Sequence, residues 1–94
     1  MPTDNENLEW RIIDEDTGVV SFVLEDQRSG AELVNITCCS RAECVATLAI
    51  GMGDNKPVNT MTEIEGAIQS NHLEQLPRDL RDRIDGFLMA GRIN

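Results

Sequence analysis

The sequence is short of cations, aromatics and histidine, and each shortage removes a class of activity. Eight Lys and Arg stand against 17 Asp and Glu, for a formal net charge of −9. Nucleic-acid binding relies on basic side chains at the phosphates, so direct nucleic-acid binding is not expected. Anionic membrane surfaces are disfavoured for the same reason. The aromatics are Trp10, Phe22 and Phe87, too few for a base-stacking platform. No run approaches the roughly 18 consecutive apolar residues of a spanning helix. Residues Met1–Asn7 are polar and acidic, where a secretory leader is basic and then apolar. A soluble, cytoplasmic chain is the expectation. Its three cysteines, Cys38, Cys39 and Cys44, are odd in number and do not read as a disulfide framework, so reduced thiols are expected.

What is present is enough for a folded domain. The 94 residues are 40% hydrophobic and 27% charged, which is globular rather than disordered composition. One domain over residues 1–94 is expected, with residues 1–7 as a flexible acidic tail. Such a domain has a stability margin of about 5–14 kcal/mol.

Alternation predicts strands first. In Leu8–Asp14, Leu8, Trp10 and Ile12 share a face; in residues 19–24, Val20, Phe22 and Leu24 do. Asp14-Glu15-Asp16-Thr17-Gly18 between them has turn chemistry. After a second turn at Gln27–Gly30, residues 31–38 predict a third strand with Val34, Ile36 and Cys38 inward. Ser40 and Glu43 have capping-box spacing, with Cys39 and Cys44 at the staple positions, ahead of a helix carrying Val45, Leu48, Ala49 and Met52. Gly53–Pro57 reads as loop. Thr60 or Thr62 caps a further helix with Met61, Ile64, Ala67 and Ile68 on one side. Pro77 opens the last helix, whose stripe is Leu76, Leu80, Ile84, Phe87 and Leu88, with Gly91 beyond its end. Arg78–Asp82, Asp79–Arg83 and Arg81–Asp85 are i,i+4 pairs on its other side. The expected class is α+β: a three-stranded antiparallel meander followed by two or three helices packed on one face, in two layers.

No arrangement of residue types makes a persuasive active site, and a non-enzymatic chain is expected. Cys38-Cys39-x4-Cys44 with His72 contains four potential zinc ligands, but structural zinc sites present Cys-x2–4-Cys pairs and adjacent cysteines rarely converge on one metal. Cys44 with His72 as base has no local signature. Gly51–Lys56 lacks the Gly-Lys-Ser/Thr ending of a phosphate loop. The paired acids have no Asp-x-Asp-x-Asp-Gly pattern for calcium. Neither a cofactor nor a metal is called for.

Charge placement is the signal that remains. Residues 1–27 hold eight acids against Arg11 alone, whereas residues 77–94 hold four arginines against three acids. Antiparallel pairing of the first two strands sorts Asp14, Glu15 and Asp16 to one end, and Glu9, Glu25 and Asp26 to the other. These six residues are the expected partner-binding set, and a basic protein or nucleoprotein complex is the expected partner. The pattern suits an inhibitor or immunity-type protein, a nucleic-acid mimic occupying a basic site on a nuclease, on restriction or CRISPR machinery, or on a toxin. A homo-oligomeric assembly subunit, with a homodimer formed through the meander edge, is the alternative. A small thiol or metal protein using Cys38, Cys39 and Cys44 comes third.

Overall fold

In the computed structural model, residues 7–14, 18–39 and 46–93 are described, with side chains as far as Met89. Among these residues, five strands form one antiparallel sheet in chain order: β1 (Leu8–Asp14), β2 (Val19–Asp26), β3 (Glu32–Cys39), β4 (Thr47–Ile50) and β5 (Lys56–Pro57). Two helices follow, α1 (Met61–Ser70) and α2 (Arg78–Ile93). The class is α+β.

The sheet is wider than the three-stranded meander the sequence suggests. The helix expected around Val45, Leu48, Ala49 and Met52 is instead strand β4, paired with β3 through Val34–Ile50, Asn35–Ala49, Ile36–Leu48 and Thr37–Thr47. Leu48, Ala49 and Met52 fit a helical period while Leu48 and Ile50 fit a strand's, and an open edge on β3 decides for the strand. Gly51, at φ +59, takes the chain back at the end of β4, a left-handed conformation that glycine adopts without steric cost. Met52 is left fully exposed. Part of the expected Gly53–Pro57 loop becomes β5. The Ser40–Glu43 capping box and Cys44 lie outside the described residues.

The core lies between one sheet face and the two helices. It joins Val20, Phe22 and Leu24 of β2, Val34, Ile36 and Cys38 of β3, and Leu48 of β4 to Met61, Ile64 and Ile68 of α1 and Leu80, Ile84 and Leu88 of α2. Phe87 is half-buried, its ring edge-on to Phe22 with centroids 6.4 Å apart. The Arg83 guanidinium stands 5.8 Å from the Phe22 centroid, a cation–π geometry. Arg81 leaves its own helix to bond Glu65 of α1 at 3.1 Å, in place of the expected pairing with Asp85. Gly91 lies inside α2 rather than beyond it.

Both ends of α1 follow local chemistry. The Glu63 N–H donates to Thr60 Oγ1 at 3.2 Å, while Glu63 Oε1 accepts from the Asn59 N–H at 3.3 Å, a cap that satisfies amides left free in the first turn. At the other end the His72 N–H donates to the Gln69 carbonyl and the Leu73 N–H to the Ile68 carbonyl. That is a Schellman ending, and His72, at φ 56, holds the position glycine usually takes.

Candidate functional site

The β1–β2 register is unbroken over seven pairs, from Leu8–Asp26 to Asp14–Val20. It sets Glu9 directly opposite Glu25. A bulge between Leu24 and Glu25 shifts the β2–β3 ladder so that Glu25 also faces Glu32. Three carboxylates thus cross three neighbouring strands in a row. Like charges directly opposed on a sheet are unfavourable, and among the described residues one cation answers them: Arg11 Nη1 lies 2.9 Å from Glu25 Oε2. Glu32 takes a 3.3 Å hydrogen bond from Asn35 Nδ2. The network continues from Thr37 Oγ1 to Asn35 Oδ1 at 2.9 Å, which gives the sheet a polar patch next to the acids.

Of the sequence-expected set, Glu9, Glu25 and Asp26 gather at one end of the hairpin. Asp14 stands at the other end of β1, about 17 Å from Glu9 at strand rise. Glu15 and Asp16 lie outside the described residues. Asp26 is committed to its turn, since its Oδ1 accepts the Arg28 N–H at 2.8 Å. With the Asn7 amide oriented to accept, its oxygen takes two 3.1 Å bonds from Arg28. Sequence reasoning missed Glu32, because the bulge that brings it opposite Glu25 has no residue signature. It also missed that Arg11 and Arg28 fold back onto the acidic end. The cross-strand, diagonal placement of Arg11 and Glu25 was readable once the hairpin register was assumed.

Among the described residues, the strand beneath these charges is the outermost of the sheet. Leu8 and Trp10 pack against the core, but Ile12 is 38% exposed and Ile13 37% exposed. The indole Nε1 of Trp10 is buried with no hydrogen-bond partner among the described residues, an uncommon state for a buried donor. On the opposite side of the molecule, a shallow groove between β4, β5 and α1 has Leu48, Val58 and Ala67 among its lining, with Asp54, Lys56 and Glu63 also bordering it.

The cysteines divide in two. Cys38 is a free thiol, fully buried, and burial pushes it up to about 11, which makes it a poor nucleophile at neutral pH. Cys39 is disulfide-bonded, so the expectation of three reduced thiols is corrected there. Its side chain belongs to the alternate face of β3, away from the core that holds Cys38. His72 is exposed in the turn after α1. Among the described residues no group of three His, Cys, Asp or Glu is placed to hold a metal ion. Among the same residues no helix is long and apolar enough to cross a membrane.

Comparison with protein families, curated proteins and solved structures finds no match.

Proposed function

We propose that this chain is a non-enzymatic binding protein whose acidic β1–β2 hairpin occupies a basic site on another protein or nucleoprotein complex. The observation that carries this reading is the Glu9–Glu25–Glu32 row, with a single ion-paired cation across it among the described residues. Setting three carboxylates abreast costs folding energy, and a basic partner recovers that cost on binding. The acidity also steers encounter with a basic surface and makes association depend on salt. A nucleic-acid-handling protein presents that kind of surface, so inhibition of a nuclease, restriction or CRISPR complex, or of a toxin, is the role proposed.

Affinity capture from host lysate tests it. The wild-type chain should retain a basic protein or nucleoprotein and release it in about 1 M salt, where the screening length falls to roughly 3 Å. The triple variant Glu9→Gln, Glu25→Gln, Glu32→Gln should lose that partner while folding normally. Capture that survives the triple substitution and high salt contradicts the reading.

A further inference from the structure

Among the described residues the sheet ends at β1, an edge that is long, unbroken and free of Pro and Lys. Edge strands present a row of unpaired backbone N–H and C=O groups, which proteins blunt with short length, Pro, Lys or a bulge. β1 has seven residues, no Pro, no Lys and no break in its register with β2. The apolar row Trp10–Ile12 on its inner face stops half-covered at this edge, with Ile12 38% exposed. Before Trp10 and at the strand's end stand Glu9 and Asp14, both exposed. Arg11, the one cation of the strand, is held by Glu25.

We infer that β1 accepts an extended, basic segment of the partner protein as a sixth strand. The segment's main chain would bond to the free edge. Its apolar side chains would cover Ile12 on the inner face, and its Lys or Arg side chains on the alternate face would meet Glu9 and relieve the Glu9–Glu25 opposition. Strand addition of this kind draws affinity from the backbone and specificity from alternate side chains. A second copy of the chain fits poorly. Each copy carries −9, and the antiparallel register that pairs all seven residues sets Arg11 against Arg11 and Leu8 against Asp14. The inference rests on the acidic-hairpin reading above and names the chemistry of its partner.

Trp10 is the chain's one tryptophan and lies in β1, so its fluorescence reports on the edge. The probe is a capped peptide of alternating Lys and Val, about nine residues long to match an ordinary strand. A second peptide of the same sequence is N-methylated at alternate amides, which keeps its charge but removes backbone donors. The unmethylated peptide should shift Trp10 emission saturably, and the methylated one should bind at least about tenfold more weakly, a loss of about 1.4 kcal/mol. Ile12→Lys, at a position 38% exposed, should weaken binding by a similar factor while leaving the melting temperature near that of the parent. Equal binding of the two peptides overturns strand addition and leaves the acidic-surface reading standing. Failure of both to bind overturns strand addition as well, while the lysate capture judges the acidic surface separately. A protein that runs at twice its 10.4 kDa chain mass, and becomes monomeric with Ile12→Lys, assigns the edge to a second copy and overturns the inference.

Discussion

The two edges of the sheet are built differently. β5 is two residues long, one of them Pro57, and its other residue is the exposed Lys56. Directly after it, Val58 turns inward and is buried in the core beneath α1. β1 is seven residues long and none of them is Pro or Lys. Proline cannot donate to an added strand and lysine repels stacking of like edges, so β5 is closed to pairing where β1 stays open. The difference coincides with charge. The open edge lies in the acidic first third, and the arginines of α2 lie in the other layer, where Arg81 and Arg83 are engaged with Glu65 and the Phe22 ring. The fold thus leaves one edge of the sheet long and unbroken and makes the other short and proline-ended.

Substitutions on the two sides should differ most. Phe22→Ala should cost about 3–5 kcal/mol and Ile84→Ala about 2–5 kcal/mol, since both are fully buried. Ile12→Ala on β1 should cost below about 1 kcal/mol, as an exposed site does. Denaturant unfolding measures all three. A loss at Ile12 equal to that at Ile84 would mean that β1 is packed as tightly as the core.

Alkaline pH should weaken the buried layer alone. The Cys38 thiol titrates near 9.0 when unfolded and at about 11 when folded, so the unfolded chain gives up its proton first. Stability is therefore unaffected below about pH 9 and falls as pH rises towards 11, by up to roughly 2–3 kcal/mol. Unfolding measured across that range should show the loss in the parent and lack that component in Cys38→Ala. An unchanged pH profile in Cys38→Ala would place the titration elsewhere.

Much of this was legible because period-2 alternation is a local signal. Trp10, Phe22, Leu24, Val34 and Ile36 announce their face in sequence, and Thr60, Glu63 and Pro77 announce helix starts. β4 was not legible, since Leu48, Ala49 and Met52 satisfy a helical period and only the open edge of β3 selects the strand. Val23 shows the same limit. It belongs to the outward set of β2 yet is 1% exposed, flanked by Arg11 and Asn35 in the register. For the candidate site, Glu9 and Glu25 follow from hairpin register, whereas Glu32 needs a bulge that residue types do not encode.

Smaller effects sharpen the helical side of the comparison. Thr60→Ala should cost about 1 kcal/mol through the lost cap. His72→Gly should raise stability by about 0.5–1 kcal/mol, because glycine meets no penalty at φ 56; a lower melting temperature would show that the imidazole makes a compensating contact. Least of all, a double-mutant cycle between Arg11 and Glu25 should return a coupling below about 1 kcal/mol, as partly exposed pairs do. A larger value would make β1 a structural element held by that pair.

The most direct test of an open β1 edge is residue-resolved amide hydrogen exchange, with and without the Lys-Val peptide. In the free protein, alternate amides of Leu8–Asp14 should exchange fast and those bonded to β2 slowly. With peptide bound, the fast set should slow by at least about tenfold while Thr47–Ile50 and Lys56 stay unchanged. Slow exchange at every β1 amide in the free protein, or slowing centred on β4 and β5, would contradict the account.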